Sequence, residues 1–80
     1  MRLRNKTNSS NDLTVESGTV SYTSSVSGEV NTTNVDSEVT VKNNEINFFD
    51  NDELVFKAHL DSESQMDELE ELGFAVMGRI

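Results

Sequence analysis

Three groups of side chains offer this chain a chemistry. They are His59, the run Asp50-Asn51-Asp52-Glu53, and the carboxylates Asp61, Glu63, Asp67, Glu68, Glu70 and Glu71. His59 is the single histidine. As a general base it would need an orienting acid and a nucleophile within hydrogen-bond reach, and no spacing here supplies them. It is expected on the solvent face of a strand. Paired carboxylates can hydrolyse glycosides only at a set separation. With fifteen Asp and Glu to choose from, no pair is singled out. Against a twelve-residue calcium loop, Asp50 and Asp52 fit the first and third positions and Asp61 the twelfth. Leu54 then stands at the fifth, and Val55 where the sharp turn demands glycine. The run is expected to be a hairpin turn. There is no glycine-rich phosphate loop and no Cys/His cluster, so the expectation is a non-enzymatic protein without cofactor or metal.

What remains is the charge itself. The net charge is −9, and three of the six basic residues (Arg2, Arg4, Lys6) stand in the first six positions. From Glu45 to Glu71 ten acidic residues face Lys57 alone, a balance of −9 over that stretch. Such a field repels nucleic acid and anionic membranes and attracts basic surfaces. Neither direct nucleic-acid binding nor membrane association is expected. No apolar run follows the basic start, which argues against a secretory signal, and no stretch reaches the length of a membrane span. A soluble, intracellular protein is the simplest expectation.

The elements that must position these acids are short. Residues 1–12 read as a mobile basic arm, and 13–80 as a single α+β domain. Between Leu13 and Asp36 the composition turns to Val, Thr and Ser. Val20, Tyr22, Ser24 and Val26 alternate with polar residues as in a half-buried strand, with a disordered Ser/Thr linker over 7–36 as the competing reading. The second half is better defined. Val39 and Val41 alternate, Asn43-Asn44 suits the two positive φ angles of a tight hairpin, and Ile46 and Phe48 share the returning face. Past the turn at Asp50–Asp52, Leu54, Phe56, Ala58 and Leu60 fall on one face of the next strand. Asp61 to Phe74 reads as one amphipathic helix. Met66, Leu69 and Leu72 form its apolar stripe, Ser62 and Gln65 a capping box, and Gly73 its left-handed end. Phe74–Met77 is a last short strand. The expected architecture is a small antiparallel sheet of five or six short strands with this helix packed on its apolar face. A chain of this size hides only about 60% of its unfolded surface, and homodimerisation is the expected source of further burial.

The helix has no Lys or Arg to offset its acids. Like charges at i, i+4 destabilise a helix by roughly 0.2–0.5 kcal/mol per pair, so selection for stability alone would have interleaved lysines. Glu63, Asp67 and Glu71 instead repeat at i, i+4, about 6 Å apart along the axis. That is coarsely the scale of charge along a nucleic-acid strand, which carries one per roughly 3.4 Å. A proline-free, cysteine-free acidic chain carrying Met66-Asp67-Glu68-Leu69-Glu70-Glu71-Leu72 resembles the small acidic host-takeover proteins of bacteriophages. These include DNA-mimic inhibitors of restriction systems, of CRISPR effectors and of the bacterial histone-like protein HU. The resemblance implies a homodimeric inhibitor in the cytoplasm of an infected bacterium, covering the DNA-binding surface of a basic host protein, HU-like by preference. The partner-binding set would be Asp50, Asp52, Glu53, Asp61, Glu63, Asp67, Glu68, Glu70 and Glu71. The competing expectation is a structural or adhesive β-rich phage protein, such as a virion decoration, with residues 13–42 as its working surface and incidental acidity.

Overall fold

A computed structural model describes residues 1–6, 12–24 and 26–78. The strands are β1 (Arg2–Asn5), β2 (Leu13–Glu16), β3 (Thr19–Thr23), β4 (Val30–Asn34), β5 (Glu38–Lys42), β6 (Glu45–Asp50), β7 (Glu53–His59) and β8 (Ala75–Met77), with one helix, α1 (Ser64–Glu71), before β8. All eight strands form one sheet in the order β4-β3-β2-β1-β7-β6-β5-β8. The expected antiparallel sheet of five or six strands is therefore corrected to a larger, mixed, mostly β architecture. The helix is a short crossover rather than a second layer.

Two features account for the difference. The first is the N-terminal segment, expected to be a mobile arm over 1–12. Residues 2–5 form a central strand instead, and residues 7–11 of that span lie outside the described residues. Leu3 is 1% exposed. Arg2 and Leu3 pair with β2, and Arg4 and Asn5 pair with β7, so β1 joins the two halves of the sheet. Four residues with one apolar side chain carry no periodicity, which is why the strand is silent in the sequence. The second is β8, which runs parallel to β5. Antiparallel neighbours need only a hairpin, whereas a parallel pair needs a crossover. After β7 the chain spends that crossover on α1 and returns to the end of the sheet where β5 begins.

The sheet is strongly coiled. β4 and β5 are six strand intervals apart in the sheet, about 29 Å if it were flat. Yet only residues 35–37 separate Asn34 from Glu38, a reach of about 15 Å. The sheet must fold over to let that link close. Hydrogen bonds fix it there: the Val35 N–H donates to Gly18 O (3.0 Å) and the Asp36 N–H to Phe49 O (2.7 Å). The space enclosed is the core. Leu3, Leu13, Val15 and Val20 from one half meet Val39, Ile46, Phe48, Phe56 and Ala58 from the other, with Leu69 and Phe74 closing the end. Tyr22 meets Phe56 edge-on across the fold (6.0 Å), and Phe48 meets Phe74 likewise (5.9 Å).

Both expected turns form. Asn43 and Asn44 have φ of 52° and 62°, and Asn51 and Asp52 have 51° and 66°. The expected face of β7 holds for Phe56 and Ala58 but not for Leu54, which is 45% exposed. Phe48 pairs with Phe56 but Phe49 pairs with Leu54, leaving Val55 as an extra residue. That bulge shifts the alternation by one and turns Leu54 outward. Strands also replace the alternative of a disordered linker across Leu13–Glu16, Thr19–Thr23 and Val30–Asn34.

Candidate functional site

The acids divide among four settings once the chain folds. The helix supplies the first. Met66 and Leu69 are buried and Leu72 half-buried, so the apolar stripe seats α1 against the core as expected. Its C-terminus closes in a Schellman motif, with the Phe74 N–H donating to Leu69 O and the Gly73 N–H to Glu70 O (both 3.0 Å) at a Gly73 φ of 100°. Only half of the expected capping box forms. Gln65 Oε1 accepts from the Asp61 N–H (2.7 Å) and the Ser62 N–H (3.4 Å), but the Ser62 hydroxyl pairs with that of Ser64. The helix consequently starts at Ser64, with Glu63 at the N-cap and no side-chain cap bond. Seating the stripe forces the opposite side outward. Glu63, Asp67, Glu68, Glu70 and Glu71 are all exposed. Glu63, Asp67 and Glu71 span two turns, about 12 Å.

Asp61 is in a different situation. The Arg4 guanidinium forks onto it, Nε donating to both carboxylate oxygens (3.1 and 3.0 Å) and a terminal nitrogen to Oδ1. Those hydrogen bonds hold the Asp61 carboxyl below its ordinary range; Arg4's charge adds to the effect, while partial desolvation opposes it. Lys6 pairs with Glu45 in the same way and lowers that carboxyl too. Both cations belong to the N-terminal segment, Arg4 within β1 and Lys6 just after it, so this segment neutralises two acids of the second half. Asp61, a member of the expected partner-binding set, thus stands in an ion pair with Arg4.

Asp50, Asp52 and Glu53 form the third setting, at the β6–β7 turn. Asp52 and Glu53 are exposed and Asp50 half-buried. Asp61 lies past the other end of β7, seven residues or about 23 Å away, so the comparison with a calcium loop has no geometric counterpart. Among the described residues, no three His, Cys, Asp or Glu side chains gather to hold a metal.

Two further acids were not anticipated. Asp36 accepts the Asn51 and Asp52 N–H groups, one on each carboxylate oxygen (3.2 and 3.1 Å), and so braces the turn. With Glu38, Thr40, Phe49 and Asp52 it lines a groove of about 480 Å³. The β5–β6 register, Val39↔Phe48 onward, carries Asp36 opposite Asn51, so the hairpin itself brings this carboxylate to the turn.

Topology sets how these acids stand together. β8 begins opposite Glu38, and Ala75 N–H donates to Ser37 O (2.7 Å). The C-terminal end of α1 thus lies at the same end of the sheet as Asp36, Glu38 and the Asp50–Glu53 turn, while Glu63 lies toward the other. The C-terminal acids of α1 and those of the β6–β7 turn are carried toward the same end of the sheet. No family model, curated protein or solved structure matches this chain. No helix among the described residues is long and apolar enough to cross a membrane.

Proposed function

We propose that this chain is a non-enzymatic DNA mimic that binds the DNA-binding surface of a basic bacterial protein and excludes DNA. An HU-like nucleoid protein in the cytoplasm of an infected cell is the preferred target. The observation that carries this reading is the outward face of α1, with Glu63, Asp67, Glu68, Glu70 and Glu71 on a helix that bears no cation. Packing of Met66 and Leu69 fixes that face, so its charges are presented on a backbone that need not be ordered on binding. Asp52, Glu53 and, from outside the expected set, Glu38 lie toward the same end of the sheet as the C-terminal acids of α1, while Asp61 is held in its ion pair with Arg4.

Charge-driven capture weakens as salt rises. The test is displacement of a DNA duplex from a purified HU-like protein, titrated at low and at physiological salt. Wild type should displace DNA, and the double substitution Asp67→Lys with Glu71→Lys should lose displacement by more than tenfold while keeping its circular dichroism and melting temperature. A folded double variant that displaces DNA as well as wild type would sink the proposal.

The competing reading, a structural or adhesive β-rich phage protein, is favoured by one observation: the half-sheet β2–β4 is almost free of charge. Because β1–β4 supply Leu3, Leu13, Val15 and Val20 to the core, surface substitution separates the two readings and truncation does not. An adhesive protein should tolerate the helix substitutions and fail when β3–β4 is altered.

A further inference from the structure

The two edges of the sheet differ. β8 is a three-residue strand ended by Gly78, and shortness is itself a protection against edge pairing. β4 has five residues, Val30-Asn31-Thr32-Thr33-Asn34, paired with β3 in unbroken register from Thr19↔Asn34 to Thr23↔Val30. It contains no Lys, no Pro and no bulge, the usual devices that blunt an edge.

The direction of its backbone groups follows from the ladder. The Val35 N–H donates to Gly18 O and the Ser24 N–H to Glu29 O, so 18/35 and 24/29 are hydrogen-bonded pairs of the β3–β4 ladder. Such pairs alternate with non-bonded ones, which makes 20/33 and 22/31 bonded as well. The N–H and C=O groups of Val30, Thr32 and Asn34 therefore point away from β3, along an open edge. Their side chains lie on the face opposite Val20, and Val30 is 67% exposed.

Charge decides what can lie there. The chain carries −9, and two copies meeting through the helix or the β6–β7 turn would set carboxylates against carboxylates. From Ser17 to Val35 the only charged side chain is Glu29. β4 is thus the edge along which this chain can approach itself without like-charge repulsion.

We propose that β4 pairs antiparallel with β4 of a second copy about a two-fold axis at Thr32. Thr32 faces its own counterpart, Val30 faces Asn34, and about six backbone hydrogen bonds join the two sheets. This proposal is independent of the DNA-mimic reading and has the opposite salt dependence. Screening strengthens self-pairing of two anions while it weakens capture of a cation.

Sedimentation equilibrium across a concentration series tests it, using the full chain at low and high salt. The mass should rise from 8.9 kDa toward twice that value with concentration, and at lower concentration when salt is high. Thr32→Pro removes an outward N–H without touching the β3–β4 ladder, and edge strands accept proline at such positions. It should weaken association about tenfold or more with an unchanged circular dichroism spectrum. Thr32→Lys keeps the N–H but places like charges on the axis, and should weaken association in a way that salt restores. A wild-type mass of 8.9 kDa throughout, or a folded Thr32→Pro variant that associates as wild type does, overturns the proposal.

Discussion

Shortening Leu3 to alanine should damage this protein as severely as any core substitution, although Leu3 stands in a run of charged and polar residues at the start of the chain. Leu3 is 1% exposed and sits with Leu13, Val15 and Val20 where the two halves of the sheet meet. Replacing a buried leucine by alanine costs about 2–5 kcal/mol, the lost transfer energy plus the cavity left behind. An eighty-residue domain holds only about 4–12 kcal/mol in total. At about 4–8 °C per kcal/mol, a mid-range loss of about 3 kcal/mol lowers the melting temperature by roughly 12–24 °C. Deleting residues 1–6 goes further. It strips β2 and β7 of a shared neighbour, opens β4-β3-β2 from β7-β6-β5-β8, and should abolish cooperative melting altogether. Thermal denaturation followed by far-ultraviolet circular dichroism reads both variants. If the deleted chain melts with wild-type midpoint and steepness, residues 2–5 are not a strand of the native sheet, and the account of the core given above is wrong.

Acid should weaken the fold through the two ion pairs of the N-terminal segment. Asp61 and Glu45 are held below their ordinary values of 3.8 and 4.5 by hydrogen bonds from Arg4 and Lys6, so both stabilise the native state fully above those values. Their contribution disappears as pH falls through the lowered native values. Urea titrations from pH 7 to pH 2.5 should show stability falling in the acid limb, and Asp61→Asn with Glu45→Gln should flatten that limb. At the β5–β6 turn, Asn44 has φ 62°, which a β-branched residue adopts at a cost of about 1–2 kcal/mol. Asn44→Val should lower the melting temperature by several degrees, and Asn44→Gly should hold or raise it.

Local chemistry alone determined a good deal. Asn43-Asn44 and Asn51-Asp52 turn where they do because their residues tolerate positive φ, and Gly73 ends the helix for the same reason. Ile46, Phe48, Met66 and Leu69 are buried because their spacing matches the period of a strand or a helix. The exposure of the helix acids followed directly from that stripe. These features depend on residues within a few positions of one another, so they are legible along the chain.

Only the tertiary structure decided the rest, and each case involves residues far apart in sequence. β1 is a strand because β2 and β7 lie on either side of it, not because of anything within Arg2–Asn5. Leu54 faces outward because one extra residue opposite Phe48 and Phe49 reversed the alternation. Asp61 is paired by a guanidinium fifty-seven residues away, which nothing near it in the sequence announces. Periodicity records which face of an element is apolar. It holds no record of which element comes to rest beside which, because that choice is made by the coiling of the sheet and the closing of one core.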